Sequence, residues 1–266
     1  IDRNDDKPIY MRRDVQTDNV LQLQESITKT ILQEIKVFWG KEKLFESYGF
    51  LHRRGYLFYG PQGTGKSSVV KQIMQDIVRL GGIVFLCDNP KFLNQALITL
   101  RQTEPTRKLV CVFEDIDAII AKYGEDDLLA VLDGANMVNH CLNIGTTNYP
   151  ERLDRRIVSR PRRFDRVIKV DVPNEKIRRE FLQAQLPKIK KRELDHMVKA
   201  TDKLSLAALS ELIISVYCLG NSLDDTIKIL VALSENNPSS DEDDKNNIGF
   251  ASDFGKGATS SVDVDD

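Results

Sequence analysis

The sequence predicts an α/β fold: a parallel five-stranded sheet with helices on both faces, followed by a small all-helical domain. Two observations carry this prediction. Short apolar runs alternate with helical patterns between residues 55 and 172, and this alternation is typical of a parallel sheet that is covered on both faces. After Pro173 only helical patterns remain. They lie at 174–186, 192–200, 205–218 and 222–233.

The first predicted helix spans 19–38, where Leu21, Ile27, Ile31 and Ile35 recur at helical intervals. A linker is predicted from residue 40 to residue 50. The predicted strands are the apolar runs 55–60, 83–87, 108–115, 141–148 and 166–172. Helices are predicted between them at 67–80, 90–102 and 125–135, and the first of these stops at a pair of glycines.

These patterns divide the 266 residues into four parts. Residues 1–41 are an N-terminal segment whose helix packs on the core, and 42–172 are the α/β domain. Residues 173–234 are the helical domain, and 235–266 are a tail. The tail holds nine acids and two lysines, so it carries a charge of -7 and leaves +5 on the remainder. With no apolar period, the tail is predicted to be disordered.

The four cysteines lie far apart in apolar runs, and no CxxC pair occurs. We expect buried free thiols, and therefore a cytoplasmic or other reducing compartment. No run of 18 apolar residues occurs, so no membrane span is predicted in this chain. Because the chain begins at Ile1 rather than Met, a preceding segment that targets or anchors the protein is left open.

Residues 60–67, "GPQGTGKS", match G-x-x-x-x-G-K-[ST] between a predicted strand and a predicted helix. Glycines let backbone N–H groups turn inward around phosphates, and the helix N-terminus favours negative charge. Lys66 would reach the β- and γ-phosphates, and the Ser67 hydroxyl would bind Mg²⁺. The predicted binding residues are Gly60, Pro61, Gln62, Gly63, Thr64, Gly65, Lys66, Ser67 and Ser68. The sequence therefore predicts a P-loop NTPase that binds a nucleoside triphosphate.

The third strand ends in acids, in "FEDIDA". A phosphate loop needs one carboxylate that holds Mg²⁺ through water and a base that orients the attacking water. By position, Glu114 takes the magnesium role and Asp115 the role of the base. Asn148 closes the fourth strand, where its amide could sense the γ-phosphate. A solvated strand end and an ordinary turn asparagine are the alternatives.

Seven arginines lie in residues 152–166. A basic run of this kind is more often solvated or nucleic-acid-facing than catalytic. The pattern R-P-x-R-F-D, however, places Arg160 and Arg163 three residues apart just after the fourth strand.

With "GPQGTGKS", "FEDIDA", "GTTNYPERLD" and "SRPRRFD" in this order, residues 40–171 resemble the AAA+ ATPases of the AAA clade. The helices that follow resemble the AAA lid domain. The Glu-Asp order and the segments "RRGYLFYGPQGTGKSSVV" and "LLAVLDG" are similar to one branch. That branch comprises the mitochondrial AAA proteins that assemble the cytochrome bc complex by translocating the Rieske protein, with their non-mitochondrial relatives.

The resemblance implies that the chain hydrolyses ATP with Mg²⁺ and that the Glu114-Asp115 pair is functional. It implies that Arg160 and Arg163 are arginine fingers that reach the ATP of a neighbouring subunit in a homo-hexameric or heptameric ring. Such a ring would remodel, assemble or translocate a protein cargo. Asp115 is one methylene shorter than the Glu that is usual at this position, so slow hydrolysis is compatible with the sequence.

Two other functions remain open. The first is a nucleic-acid motor or clamp-loader-like switch, which the charge of +5 and the basic segment 188–199 support and the acidic tail opposes. The second is a non-hydrolysing, ATP-gated scaffold, which would follow if the Glu114-Asp115 pair were inert.

Overall fold

The computed structural model of the protein describes residues 27–133, 138–158 and 162–235, and within them five strands form one sheet. The strands are β1 (Arg53–Tyr59), β2 (Ile83–Leu86), β3 (Leu109–Phe113), β4 (Cys141–Thr147) and β5 (Arg166–Lys169). Every pairing is parallel, and the order across the sheet is β2-β3-β4-β1-β5. The predicted five-stranded parallel sheet is confirmed.

Helices cover the sheet and continue beyond it. Those before β5 are α1 (Ile27–Trp39), α2 (Glu42–Ser47), α3 (Lys66–Arg79), α4 (Pro90–Thr103), α5 (Ile116–Tyr123), α6 (Asp126–Asp133) and α7 (Arg155–Val158). Those after β5 are α8 (Glu175–Gln185), α9 (Lys191–Ala200), α10 (Leu206–Ile213) and α11 (Leu223–Glu235). A short 3₁₀ helix spans Pro150–Arg152, and a π-helical turn at Ile214–Cys218 extends α10.

The sheet separates two apolar cores. On one face α1 and α3 pack on the sheet, with Ile31, Phe38 and Ile73 among the buried residues. On the other face α4 to α7 pack through side chains such as Leu97 and Leu128. The strands are apolar on both sides because both faces are covered. A third core joins α8 to α11. The predicted division of the chain into four parts stays a prediction.

Three differences from the predicted elements concern short helices. The stretch predicted as a linker contains α2, and α5 and α7 follow strand ends where no helix was predicted. Each has eight residues or fewer, which is too short to show a clear period in the sequence. Residues 19–26 of the first predicted helix, residues 134 and 135 of the helix predicted at 125–135, and all but the first residue of the predicted tail lie outside the described residues.

All four cysteines are free, and three are buried, but Cys218 at the end of the π-helical turn is exposed. The prediction that every thiol is buried was wrong there, because the turn points this position away from the third core. Among the helices of the described ranges, none has the length and apolar character needed to cross a membrane.

Gly55 in β1 fixes how closely the arginine-rich segment approaches the sheet. Its N–H donates to the Asp165 carboxylate (2.8 Å), and its carbonyl accepts from the Asp165 N–H (2.9 Å). A Cβ on Gly55 would lie 2.0 Å from the Arg163 carbonyl oxygen and 2.9 Å from the Phe164 Cα. Only glycine therefore fits here.

We expect Gly55→Ala to destabilise the protein by about 1–3 kcal/mol or more, because backbone atoms must move to admit the methyl group. Thermal unfolding followed by circular dichroism measures the change. Gly40→Ala is the matched control, since its added Cβ meets nothing nearer than 3.5 Å. Equal melting temperatures for the two variants would contradict the close approach at Gly55.

Candidate functional site

The predicted phosphate loop joins the end of β1 to the start of α3 and is shaped for an anion. Gly63 and Gly65 have φ of +75° and +103°, values that L side chains rarely adopt. Gly65 caps α3 without any side-chain hydrogen bond, so no capping side chain occupies the first N–H groups of the helix. Exposed first-turn N–H groups on a 14-residue helix form the arrangement that binds phosphate.

Lys66 is turned back onto this loop. Its Nζ donates to the carbonyl oxygens of Gly60 (2.7 Å) and Pro61 (2.8 Å), and the residue is 7% exposed. Burial lowers the pKa of the Lys66 amine, and the negative charge of Asp115 partly opposes this. A buried ammonium group that donates to carbonyl oxygens in the described structure is suited to an incoming phosphate, which would form stronger, charge-assisted bonds.

The other predicted binding residues of the loop differ in exposure. Pro61, Gln62, Ser67 and Ser68 are exposed, whereas Thr64 is buried and donates its hydroxyl proton to the Pro61 carbonyl oxygen (2.9 Å). Ser67 lies in the first turn of α3, next to Lys66. Its hydroxyl is therefore on the surface that a bound phosphate would face.

Strand order brings the predicted acids to the same edge. Because β4 lies between β1 and β3 and all three are parallel, their carboxyl ends meet there. Glu114 and Asp115 follow β3 directly and are exposed, and Asn148 follows β4. The Asn148 Nδ2 lies 3.4 Å from the Asp115 Oδ1. The structure thus brings Lys66, Asp115 and Asn148 together.

Asp115 has a left-handed backbone conformation, with φ 47° and ψ 57°. Three contacts hold it there. Its N–H donates to the Thr146 Oγ1 (3.1 Å), and its carbonyl accepts from Ala118 and Ile119 as α5 begins. Such backbone costs about 1–2 kcal/mol for a residue other than glycine, and it occurs where surrounding contacts over-determine it, often at functional sites.

The end of β4 supplies residues that the sequence analysis missed. The Thr147 hydroxyl donates to the Asp117 carboxylate (2.6 Å) and accepts from the Tyr149 N–H (2.9 Å). Both Thr146 and Thr147 are buried although they are polar. The signal was present in the sequence, since "GTTN" ends an otherwise apolar strand with three polar residues.

Arg163 does not extend from the surface of the described structure. It is 4% exposed, and its Nε and Nη2 each lie 2.7 Å from the Asp133 Oδ2. Its Nη1 also donates to the Arg156 carbonyl oxygen. As a finger, Arg163 would have to leave these partners, so that role stays a prediction. Arg160 lies outside the described residues.

Four other described arginines of segment 152–166 also contact groups within the chain. Arg156 pairs with Glu125 (2.9 Å) and Asp154 (3.2 Å), and Arg166 lies 3.4 Å from Glu34. Arg152 lies over the Tyr149 ring and Arg162 over the Phe50 ring. Three arginines of this segment, Arg156, Arg163 and Arg166, are thus paired with acids of the same chain.

The helical C-terminal segment reaches the phosphate loop. The Ala207 N–H, in the first turn of α10, donates to the Gly63 carbonyl oxygen (3.1 Å). A Cβ on Gly63 would lie 2.8 Å from the Ser205 Oγ and 2.9 Å from the Ala207 Cβ. The loop therefore lies between the sheet and α10, and this contact was not predicted.

Comparison with known proteins gives a consistent result. Residues 56–172 match the family described as "ATPase family associated with various cellular activities (AAA)". The chain is 30% identical over 200 residues to ATPase family gene 2 protein homolog A of Homo sapiens, covering 67% of this chain and 21% of that protein. It is 32% identical over 184 residues to the proteasome-activating nucleotidase of Methanocaldococcus jannaschii, covering 60% of this chain and 42% of that protein.

The chain therefore aligns with about a fifth to two fifths of the length of these relatives. The matched region begins in β1 and extends beyond β5, so it contains the phosphate loop, the acidic strand end and the arginine-rich segment. The strand order and the loop geometry agree with this match, so residues 56–172 are similar to an AAA ATPase domain.

Proposed function

We propose that this chain is an AAA+ ring protein that hydrolyses ATP to ADP and phosphate and uses the cycle to remodel, assemble or translocate a protein. The observation that carries the proposal is the convergence of Lys66, Asp115 and Asn148 at one edge of the sheet. The phosphate-binding backbone of the loop lies at the same edge. Binding, charge neutralisation and water activation therefore have their groups in one place.

Each residue has a role in this proposal. The loop from Gly60 to Ser68 binds the phosphates, and Lys66 exchanges its two carbonyl partners for phosphate oxygens. Asp115 accepts the proton of the attacking water, and Asn148 orients that water through its contact with Asp115. Ser67, and Glu114 through water, would hold Mg²⁺, which neutralises charge on the phosphates when it is bound.

We propose that Arg160 and Arg163 have different roles. Arg160 acts as the finger toward the neighbouring subunit, and Arg163 supports the segment through Asp133. The burial of Arg163 and its two 2.7 Å contacts support this division. A finger needs a neighbour, so hydrolysis requires assembly of a ring, for which we propose six or seven copies.

A protein substrate fits better than a nucleic acid. Five of the six described arginines of segment 152–166 contact acids, carbonyls or aromatic rings of this chain, which leaves less unpaired positive charge for a polyanion. The name of one relative, the proteasome-activating nucleotidase, also indicates action on a protein assembly. The resemblance to the cytochrome bc assembly branch is retained as the proposed place of this chain within the family.

The first test separates binding from hydrolysis. We expect Lys66→Met to abolish ATP binding, since the loop loses its only buried ammonium group among the described residues. Asp115→Asn should retain binding and lower the turnover number about 10²–10⁴-fold, as loss of a general base does. Fluorescent-nucleotide titration measures binding, and steady-state phosphate release measures turnover.

Asp76→Asn is the control, because Asp76 is an exposed acid on α3 whose ion pair with Arg79 is also exposed. It should change neither quantity. If the wild type binds ATP but turns it over no faster than Asp115→Asn, the chain is a nucleotide-gated scaffold. If turnover depends on added polynucleotide, the nucleic-acid motor replaces the protein remodeller.

The second test concerns the two arginines. Arg160→Ala should retain the wild-type melting temperature and lower turnover about 10³-fold or more. Arg163→Ala should instead destabilise the chain by about 1–3 kcal/mol, because it removes two buried 2.7 Å contacts with the Asp133 carboxylate.

Mixing subunits shows whether Arg160 acts between copies. Asp115→Asn and Arg160→Ala should each retain little turnover alone, but a mixture forms interfaces that join an intact Asp115 to an intact Arg160. Activity should therefore reappear on mixing. Activity that stays absent in mixed rings of verified composition would exclude a finger role for Arg160. Reappearance with Arg163→Ala, at unchanged stability, would assign the finger to Arg163 instead.

A further inference from the structure

Three side chains that can bind metal meet at the edge of the sheet opposite to the phosphate loop. His52 directly precedes β1, and His140 directly precedes β4. Because Arg53 pairs with Cys141 in the parallel β1–β4 ladder, the two histidines stand at the same level. Glu42 begins α2 beside them. One ligand atom from each of the three lies within 4.8 Å of the others.

His52 has an unused lone pair. Its ring is fully buried, and Nε2 lies 2.9 Å from the Phe38 carbonyl oxygen. A carbonyl can only accept, so Nε2 carries the proton and Nδ1 is unprotonated in the neutral ring. Nδ1 is buried and has no hydrogen-bond partner among the described residues. Histidines that bind metal commonly donate their other N–H to a backbone carbonyl in this way.

Both histidines are held in place by one side chain. The Asn139 Oδ1 accepts from the backbone N–H of His52 (2.6 Å) and of His140 (3.1 Å). Further backbone bonds join Cys141 to His52 (3.1 Å) and Leu109 to His140 (2.9 Å). The two rings lie 5.8 Å apart, centroid to centroid. The pair is therefore preorganised by the sheet rather than by flexible loops.

Glu42 completes the set from the surface side. Its Oε1 lies 3.4 Å from the His140 Nδ1, and its side chain is 39% exposed. Two ligand atoms on a tetrahedral ion lie about 3.4 Å apart when the bonds are about 2.1 Å long. Glu42 also lines a surface hollow of about 540 Å³ between α1 and α2, so an ion can reach its carboxylate from solvent.

We propose that Glu42, His52 and His140 bind one divalent transition-metal ion of the zinc type, with water in the fourth position. Two imidazoles and a carboxylate are a ligand set that zinc prefers. The ion would join α2 to the amino ends of β1 and β4. This role is structural and does not depend on the proposed ATP hydrolysis, because the site lies at the other edge of the sheet.

The test uses the full chain carrying Cys218→Ser, which removes the exposed thiol that could also bind zinc. After a chelator has stripped the protein, Zn²⁺ is titrated against a competing indicator with Mg²⁺ in excess. We expect one equivalent to bind and to raise the melting temperature. Co²⁺ in place of Zn²⁺ should give the visible spectrum of a tetrahedral nitrogen and oxygen site.

Glu42→Gln and His140→Asn should each weaken Zn²⁺ binding by about 100-fold or more, since even residues that only support a ligand contribute about 10–100-fold. Glu46→Gln, on the same helix, and His196→Ala, an exposed histidine on α9, should bind as the parent does. If His140→Asn does not fold, Glu42→Gln decides alone, because Glu42 lies at the surface.

Two results would overturn the proposal. One is the absence of a stoichiometric Zn²⁺ equivalent in the parent chain. The other is a Zn²⁺ affinity that is the same in Glu42→Gln as in Glu46→Gln. In either case the three side chains form a packing cluster in which His140 simply hydrogen-bonds to Glu42.

Discussion

The position of β4 between β1 and β3 is the constraint on which the candidate site depends. All seven residues of β4 are buried, and its last two are threonines. The Thr146 hydroxyl accepts a hydrogen bond from the Asp115 N–H, and the Thr147 hydroxyl donates one to the Asp117 carboxylate. Because neighbouring residues of a strand face opposite sides of the sheet, a shift of one residue in the β3–β4 register would turn each hydroxyl away from its partner. The polar end of β4 is therefore part of the buried core and also fixes the positions of Asp115 and Asp117.

The phosphate loop is where separate parts of the chain meet. On one side, a Cβ at Gly60 would lie 2.2 Å from the Val170 carbonyl oxygen, just after β5. On the other side, the Gly63 carbonyl accepts from Ala207 in α10. Because the loop is held on both sides, a rotation of α10 would either change the hydrogen bond between Ala207 and Gly63 or move the loop. A nucleotide bound at this loop, as proposed, would therefore lie next to the helices after β5.

Much of this arrangement could be predicted from the sequence, because its elements are local. A buried parallel strand is a continuous apolar run, and "GPQGTGKS" contains its own glycines and lysine. What could not be predicted depends on residues far apart in the chain. No residue near Arg163 in the sequence indicates that the Arg163 guanidinium group would be buried against Asp133, thirty residues earlier. Likewise, His52 and His140 lie close together only because β1 and β4 pair. The sequence of neither segment predicts which strands will be neighbours.

The presence of an aspartate rather than a glutamate as the proposed base can be understood through the backbone rather than through side-chain length. An aspartate is one methylene shorter than a glutamate, and a displacement of about 1 Å can cost about 100-fold in rate. At Asp115 the chain enters the left-handed region, which redirects the Cα–Cβ bond relative to a strand that simply continued. The Thr146 hydroxyl and the first turn of α5 hold the chain there. Aspartate tolerates this conformation better than most residues do, so a shorter acid at this position is consistent with the fold that presents it.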